Sequence, residues 1–152
     1  MRAFELQPGF GFEQLKVVER PEPTSQRPLA AGEVLVEFHA WSLNYRDLLV
    51  VTGAYNPRLK LPLIPLSDGA GEVRAVGAGV SRFRPGDRVT PCFMQRWIEG
   101  PLTAEKARSD LGGNLPGLLA DQAVLPEDGL VAIPPHLSSE EAATLPCAAL
   151  SA

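Results

Sequence analysis

The sequence LPLIPLSDGAGEVRAVGAGVSRFRPGDRV, residues 61–89, carries more information about the fold than any other part of this chain. Its GAG step at positions 69–71 resembles the beginning of the dinucleotide-binding motif G-x-G-x-x-G, which lies between a strand and a helix. Here Arg74 stands in place of the third glycine, and the β-branched Val73 and Val76 predict a strand. We therefore interpret these glycines as sites of close backbone packing and turns, and we predict no phosphate-binding loop here.

Composition indicates a globular, mainly β domain. The 152 residues are 45% apolar, which is enough for one domain with a hydrophobic core. The 15 prolines disfavour helices and favour loops, turns and edge strands. We therefore expect a domain with long connections between short strands.

Charge and hydropathy narrow the classes of partner. The net charge is -4 and no basic stripe is present, so we do not expect nucleic acid as a partner. No segment approaches the ~20 apolar residues of a membrane span, and the N-terminal residues lack the apolar run of a signal peptide. The two cysteines, Cys92 and Cys147, do not form a disulfide framework. These features together predict a cytoplasmic protein without a membrane partner.

Short strands are predicted along most of the chain. The clearest is 33–42, where side chains on the two faces alternate with period two. Further strands are predicted at residues 2–6, 15–20, 69–77, 88–93, 121–125 and 130–133. Residues 21–32 are predicted to form an exposed loop. Residues 94–119 are predicted to form a long irregular excursion with one helix at 103–111. A connection of this length is more often functional or disordered than neutral. This order predicts a small, partly open β-barrel with a few short helices.

Two helix starts are predicted from capping patterns. Asn44 is a suitable N-cap, Asp47 lies at N3 near the positive helix end, and Gly53 is a suitable C-terminal stop. Ser138 begins an S-x-x-E capping box that opens a C-terminal helix extending to Leu145. We therefore expect one short helix directly after the clearest strand and a helical segment at the end of the chain.

The order and spacing of these motifs resemble the GroES-like catalytic domain of the medium-chain dehydrogenase/reductase superfamily. The matching pieces are GEVLV (32–36), LNYRD (43–47), PLIPLSDGAG (62–71), GDRV (86–89) and EEAATLP (140–146). The resemblance covers nearly the whole chain and is greatest for the zinc-free quinone oxidoreductase branch. It implies that residues 1–136 form the GroES-like domain. It also implies that residues 137–152 form a helical segment leading to a nucleotide-binding Rossmann domain that is absent from this chain.

The same resemblance implies a function. Members of this branch use NADPH to reduce carbonyls or activated alkenes, so we expect a zinc-independent, NAD(P)H-dependent oxidoreductase of small carbonyl, enone or quinone substrates. We expect the parent enzyme to be a homodimer, and this chain alone to be inactive, because the cofactor carries the hydride chemistry. Two alternatives stay open: a zinc-dependent alcohol dehydrogenase relative, and a GroES-like binding or chaperone module, since a fold does not determine function.

The metal question depends on a few positions. Zinc-dependent members of the superfamily bind the metal with a Cys, a His and a later Cys. By the resemblance, the corresponding positions in this chain carry Asn44, Ser67 and Cys147. Catalytic zinc needs about three protein ligands of the Cys, His or carboxylate type, which an amide and a hydroxyl do not supply. Structural zinc in some relatives needs four clustered cysteines, and only Cys92 lies in that region. We therefore predict no metal, and the role of Asp68, where zinc enzymes carry a Glu near the metal, is left open.

The resemblance also suggests site residues around the first predicted helix. Asn44 is predicted to hydrogen-bond the substrate or the nicotinamide amide, and a plain helix cap is the alternative; both can hold at once. Tyr55 matches an active-site tyrosine, whose phenol can donate to a carbonyl oxygen as negative charge develops; the alternative is a loop tyrosine packed on the barrel. Asn44, Tyr45 and Arg46 are predicted cofactor contacts, although for Arg46 a solvated helix face is favoured over a contact with cofactor phosphate.

Overall fold

The fold is mainly β, as predicted, and a computed structural model describes residues 1–151 of the chain. A hairpin pairs β1 (Arg2–Leu6) with β2 (Leu15–Glu19). The other strands are β3 (Glu33–Ser42), β4 (Asp68–Val76), β5 (Arg88–Pro91), β6 (Gln122–Pro126) and β7 (Leu130–Ala132). They form one sheet in the order β6-β3-β4-β5-β7 with antiparallel neighbours. This sheet curls into a half-barrel, which confirms the partly open GroES-like barrel.

The helices are all short. They are α1 (Pro23–Gln26), α2 (Tyr45–Val51), α3 (Ala104–Ala107) and α4 (Ser139–Ala143), with 3₁₀ turns at Phe12–Gln14, Glu127–Gly129 and Ala149–Ser151. Within residues 1–151, no helix combines the length and the apolar character needed to cross a membrane. The predicted C-terminal helical segment contains α4 and the 3₁₀ turn at Ala149–Ser151. Its last residue, Ala152, lies outside the described residues.

The predicted helix at 103–111 is wrong in its length. Thr103 caps α3, whose last residue is Ala107. After a turn at residues 108–109, the chain pairs with the segment that follows β5. The Gln95 amide donates to the Ser109 carbonyl at 3.0 Å, and the Leu111 amide donates to the Phe93 carbonyl at 3.0 Å. Non-local backbone pairing therefore replaces the last helical turns, which local sequence could not indicate.

Two other boundaries differ from the predictions. The loop predicted at 21–32 contains α1, which begins with Pro23 at a position where a missing amide hydrogen costs nothing. The C-terminal helix ends at Ala143 and does not reach Leu145, since the residue before Pro146 is biased away from helical geometry. Strand ends elsewhere differ by at most two residues, which is the usual uncertainty of such boundaries.

Close backbone packing explains Gly71 within β4 and Gly77, which follows its last residue. A Cβ atom at Gly71 would collide with the carbonyl oxygen of Glu37 on β3, and a Cβ atom at Gly77 would collide with the carbonyl oxygen of Ala30. β3 and β4 also shift register twice along their length, between Leu35 and Val36 and again after Phe38. Such irregularities bend a strand and increase its twist. The glycines are therefore packing positions of a curved sheet, as the sequence indicates.

The long excursion at residues 94–119 is part of the core. Leu111 and Leu118 are 2% and 0% exposed, and they pack against Val36, Phe38 and Val73 of the sheet. Burial of two leucine side chains stabilises this segment by about 3–6 kcal/mol relative to an exposed arrangement. The excursion therefore packs against the sheet as part of the core and is not a disordered insertion.

The ends of three elements bring distant residues together. Ser42, the last residue of β3, pairs with Asp68, the first residue of β4, so the residues just beyond β3 lie beside the start of β4. On the C-terminal side, Ala142 and Ala143 of α4 are buried against Ala40 of β3 and Ala70 of β4. The chain after α4 consequently reaches the same end of the sheet.

Candidate functional site

Asp68 is the centre of a buried polar cluster at this end of the sheet. Its side chain has no exposed surface, and its Oδ2 accepts from the Asn44 side-chain amide at 2.9 Å. The same oxygen accepts from the backbone amide of Cys147 at 3.3 Å, while Oδ1 accepts from the Ser67 hydroxyl at 3.0 Å. The three positions that the resemblance assigns to zinc ligands are therefore gathered around one carboxylate.

Asn44 has the helix-capping role that the sequence left open, and its side chain also contacts the cluster. It is the N-cap of α2, and its backbone amide donates to Asp47 Oδ2 at 2.7 Å. Its side-chain amide nitrogen donates to Asp68. Because a carboxylate only accepts, this bond also determines which end of the Asn44 amide carries the hydrogens. The helix cap is confirmed, and a contact with substrate or cofactor stays a prediction.

Asp47 is a second buried carboxyl beside the cluster. It is 4% exposed, and within residues 1–151 its Oδ1 has no hydrogen-bond partner. Burial raises the pKa of this carboxyl, and the charge of Asp68 raises it further, while the Asn44 backbone amide and the Arg46 charge oppose the shift. A proton is therefore held more readily at Asp47 than at an ordinary aspartate.

Leu66 has a strained backbone directly before the cluster. Its φ of 71° lies in the left-handed region, which a leucine rarely adopts. The amide of Leu118 donates to the Leu66 carbonyl at 2.9 Å, and a Cβ atom at Gly112 would come within 2.7 Å of that carbonyl oxygen. The excursion therefore clamps this residue, and through it orients Ser67 and Asp68. Strain held in this way is frequent at functional sites.

Arg46 does not lie on a solvated helix face, so that interpretation is wrong. Its side chain is only 11% exposed, because the returning excursion covers α2. Nη2 donates to Asp110 Oδ2 at 2.5 Å and Nη1 donates to the Leu111 carbonyl at 3.1 Å. The guanidinium also lies over the rings of Tyr55 and Phe93, at 4.7 Å and 4.8 Å from their centroids.

The two tyrosines occupy different surroundings. Tyr55 is 44% exposed, its amide donates to the Leu49 carbonyl at 3.0 Å, and its ring rests on Arg46. Tyr45 is 74% exposed on the outer side of α2. The structure thus brings Arg46 and Tyr55 together, and Arg46 Nη1 lies 4.0 Å from Asp47 Oδ1, next to the Asp68 cluster.

Sequence reasoning missed two residues of this site. Asp110 neutralises Arg46, but the sequence placed it in the helix predicted at 103–111, where nothing suggested an ion pair. Phe93 forms the second aromatic face, and it lies beyond the end of β5. Both belong to a segment whose path is set by non-local pairing, and no local signal in the sequence marks them.

The donor set of the cluster does not fit a catalytic zinc ion. Asn44 and Ser67 offer an amide and a hydroxyl, and only the thiol of Cys147 and the carboxylate of Asp68 are strong zinc ligands. Among the residues that the structure describes, no group of three His, Cys, Asp or Glu side chains is arranged to hold a metal ion.

Replacing Asp68 by asparagine is expected to accelerate alkylation of Cys147 by iodoacetamide at neutral pH. Burial raises the pKa of the Cys147 thiol, the Asp68 and Asp47 charges raise it further, and Arg46 opposes them. The thiolate is the reactive form, so loss of the Asp68 charge lowers the pKa and speeds the reaction. Peptide mass spectrometry over a pH series measures the rate.

Cys92 is the internal control in that experiment. Burial raises the pKa of its thiol, and Arg82, not Asp68, is the charge that opposes the shift. Its alkylation rate should therefore be the same in the wild-type chain and in the Asp68→Asn chain. Equal Cys147 rates in the two proteins would contradict the electrostatic coupling.

Comparisons with known proteins agree with this architecture. Residues 30–135 match the family model of the alcohol dehydrogenase GroES-like domain. The chain is 46% identical over 142 residues to a zinc-type alcohol dehydrogenase-like protein of Schizosaccharomyces pombe. The matched region covers 93% of this chain and 40% of that protein. It is 36% identical over 146 residues to a chloroplastic quinone-oxidoreductase of Triphysaria versicolor, with 95% and 38% covered.

A solved structure has the same fold. The crystal structure of a Sinorhizobium meliloti protein described as an alcohol dehydrogenase superposes with a TM-score of 0.77 at 45% identity, covering 90% of this chain and 40% of that one. The chain therefore spans about two-fifths of the length of the relatives it matches.

Proposed function

The chain belongs to the alcohol dehydrogenase GroES-like domain family of the medium-chain dehydrogenase/reductase superfamily, and we propose that it is the substrate-binding part of a zinc-independent, NAD(P)H-dependent oxidoreductase. The proposed substrates are small carbonyls, enones or quinones. The observation that carries this proposal is the cluster of Asn44, Ser67 and Cys147 around Asp68, in which hydrogen bonds take the place of metal ligation.

The bound nicotinamide would supply the hydride. We propose that the Tyr55 phenol donates a hydrogen bond to the substrate oxygen as negative charge develops there. Asn44 is the second proposed catalytic residue. Its bond to Asp68 fixes the amide plane, and we propose that its second amide hydrogen is donated to substrate or to the nicotinamide amide.

The cofactor contacts proposed for this chain are Asn44, Tyr45 and Arg46. The exposed ring of Tyr45 is accessible to a ligand, whereas the charge of Arg46 is already balanced by Asp110. The sequence holds no G-x-G-x-x-G motif, so we propose that the main cofactor site lies in a Rossmann domain that follows residues 137–152 in the parent enzyme. We further propose NADPH as cofactor, a cytoplasmic homodimer as parent enzyme, and no turnover by the 152 residues alone.

The substitution Tyr55→Phe tests the proposed role of the phenol. We expect about 100-fold slower NAD(P)H oxidation with an enone or quinone, which is the typical effect of losing one donor to a developing oxyanion. The assay uses a chimera in which this chain replaces the matched 40% of the S. meliloti protein, because that structure carries the remaining chain.

Phe4→Leu provides the control, since Phe4 lies on β1, outside this site, and is 41% exposed. Its rate should equal that of the parent chimera. An unchanged rate in Tyr55→Phe would contradict the role of the phenol, and NAD(P)H oxidation by the 152-residue chain alone would contradict the need for a second domain.

One finding favours a zinc-dependent alternative, namely the name of the S. pombe relative, a zinc-type alcohol dehydrogenase-like protein. The donor set around Asp68 weighs against it in this chain, because two of the three ligand positions carry Asn44 and Ser67. Elemental analysis of the purified chain distinguishes the two: one tightly bound zinc per chain would support the alternative.

A further inference from the structure

Arg46 connects three parts of the molecule that are distant in sequence. It lies on α2, and its Nη groups bind the Asp110 carboxylate and the Leu111 carbonyl of the excursion. Its guanidinium carbon also lies over the rings of Tyr55 and Phe93. Its side chain is 11% exposed, and within residues 1–151 its Nε has no hydrogen-bond partner. The ring faces and the two Nη groups together define the position of this guanidinium.

The acceptor of this pair is itself held in place. Asp110 is 3% exposed, and its Oδ1 accepts from the side-chain amide of Asn114. A Cβ atom at Gly113 would collide with both Asp110 Oδ2 and Arg46 Nη2, so a side chain at this position would displace the ion pair. The excursion thus presents one rigid carboxylate to α2, and Arg46 cannot leave it without breaking a buried ion pair.

Tyr55 is the member of this group that is open to solvent. It is 44% exposed and follows the end of α2, where Gly53 has a positive φ of 79°. Its amide donates to the Leu49 carbonyl, and its ring is in contact with the Arg46 guanidinium, whose central carbon lies 4.7 Å from the ring centroid. A planar guanidinium stacks on an aromatic ring, whereas an ammonium group offers no such flat face.

We propose that Arg46 is a positioning residue: anchored by Asp110, it holds the Tyr55 ring in the orientation from which the phenol reaches the substrate. This inference rests on the proposed function of Tyr55. In this proposal the Arg46–Asp110 pair affects the oxidoreductase reaction by positioning Tyr55, and Arg46 itself does not contact the reacting atoms. Loss of such positioning lowers kcat more than it raises KM, since the phenol acts as charge develops.

The first test needs no activity and uses the 152-residue chain. In NMR spectra, the ring currents of Tyr55 and Phe93 should shift the Arg46 Nε–H signal upfield. Arg46→Lys should move the Tyr55 ring signals, and Asp110→Asn should move both sets. Arg82→Lys is the matched control, because Arg82 lies over Phe83 at 5.2 Å in another part of the sheet. Tyr55 ring signals that stay in place in Arg46→Lys, with the fold intact, would overturn the proposal.

The second test is a double-mutant cycle in the S. meliloti chimera. We expect Arg46→Lys to lower kcat by about 10- to 100-fold, the scale of a misplaced catalytic group. In the Tyr55→Phe background the same substitution should have little further effect, because residues that act through one another are not additive. Arg82→Lys should leave kcat unchanged.

The outcomes separate the two ideas. If Tyr55→Phe leaves the rate unchanged, the proposed function of Tyr55 fails, whatever Arg46 does. If Tyr55→Phe slows the reaction while Arg46→Lys does not, or if the two effects simply multiply, the function stands and the positioning role of Arg46 is overturned.

Discussion

Replacing Asn44 by aspartate is expected to destabilise the chain by about 3–5 kcal/mol at neutral pH, the usual cost of an uncompensated buried charge. The side-chain amide that now donates to Asp68 Oδ2 at 2.9 Å would become a second carboxylate beside a fully buried one. Two carboxyls at that distance compete for one proton, so the pKa of the introduced group would be raised. Urea unfolding at a series of pH values measures the effect.

The sign of the pH dependence is part of this prediction. A carboxyl whose pKa is raised by folding binds more protons in the folded than in the unfolded state, so its penalty is absent below the ordinary aspartate pKa. The penalty then grows as the pH rises to the raised pKa. The substituted chain should therefore approach wild-type stability in acid and lose it toward neutrality.

Asn44→Ser is the matched control for this experiment. Serine keeps the N-cap preference of the position and adds no charge, so we expect a loss of only about 1 kcal/mol, and little change of that loss with pH. Equal stabilities of the aspartate and serine variants across the pH series would show that Asn44 does not face the Asp68 carboxylate.

Two substitutions together, Asn44→Cys and Ser67→His, are expected to create a zinc site with Cys147 as the third ligand. Asn44 and Ser67 reach Asp68 through their side chains and Cys147 through its backbone amide, so all three positions lie around one carboxylate, where we expect a thiolate and an imidazole to join the Cys147 thiol. Elemental analysis after dialysis should find one zinc per chain in the double variant and none in the wild-type chain.

Stability gives an independent readout of this site. Ser67 is fully buried, so a larger imidazole without metal should cost about 1–3 kcal/mol through overpacking. Zinc at about 1,000 times its Kd would raise the free energy of unfolding by about 4 kcal/mol, because it binds the folded state. The double variant should therefore unfold at a much lower temperature with a chelator than with zinc.

Two controls identify the ligands. Each single variant offers too few ligands and should bind no stoichiometric zinc, and Cys147→Ser added to the double variant should abolish binding. A double variant without zinc would show that the three side chains do not converge. Stoichiometric zinc in the wild-type chain would instead contradict the proposed zinc independence.

Local patterns in the sequence predicted much of the fold. The period-two alternation of residues 33–42 predicted β3 to the residue, and the Asn44 and Ser138 caps predicted the starts of α2 and α4. These succeed because alternation and capping depend on neighbours within a few positions. The glycines of β4 were interpreted correctly for the same reason, since a strand pattern followed them where a nucleotide-binding loop would have continued into a helix.

Only part of the candidate site could be predicted from the sequence. The resemblance pointed to Asn44, Ser67 and Cys147, and the structure gathers all three around Asp68, whose role the sequence had left open. The interpretation of Arg46 as solvated failed, because the residue that buries it, Asp110, lies 64 positions away. A contact of that separation leaves no trace in local periodicity.

The sequence by itself thus determined the mainly β class, the order of the strands along the chain, the two helix caps, and the presence of Asn44 and Ser67 at two positions where zinc-dependent relatives carry ligands. Only the tertiary structure decided that the excursion at 94–119 packs into the core and that Leu66 has a left-handed backbone. It also decided that Arg46 pairs with Asp110 and lies over the ring of Tyr55. The physical reason is that strands and caps form from contacts between near neighbours. Burial of a charge and its partner is set by packing between segments that only the folded chain brings together.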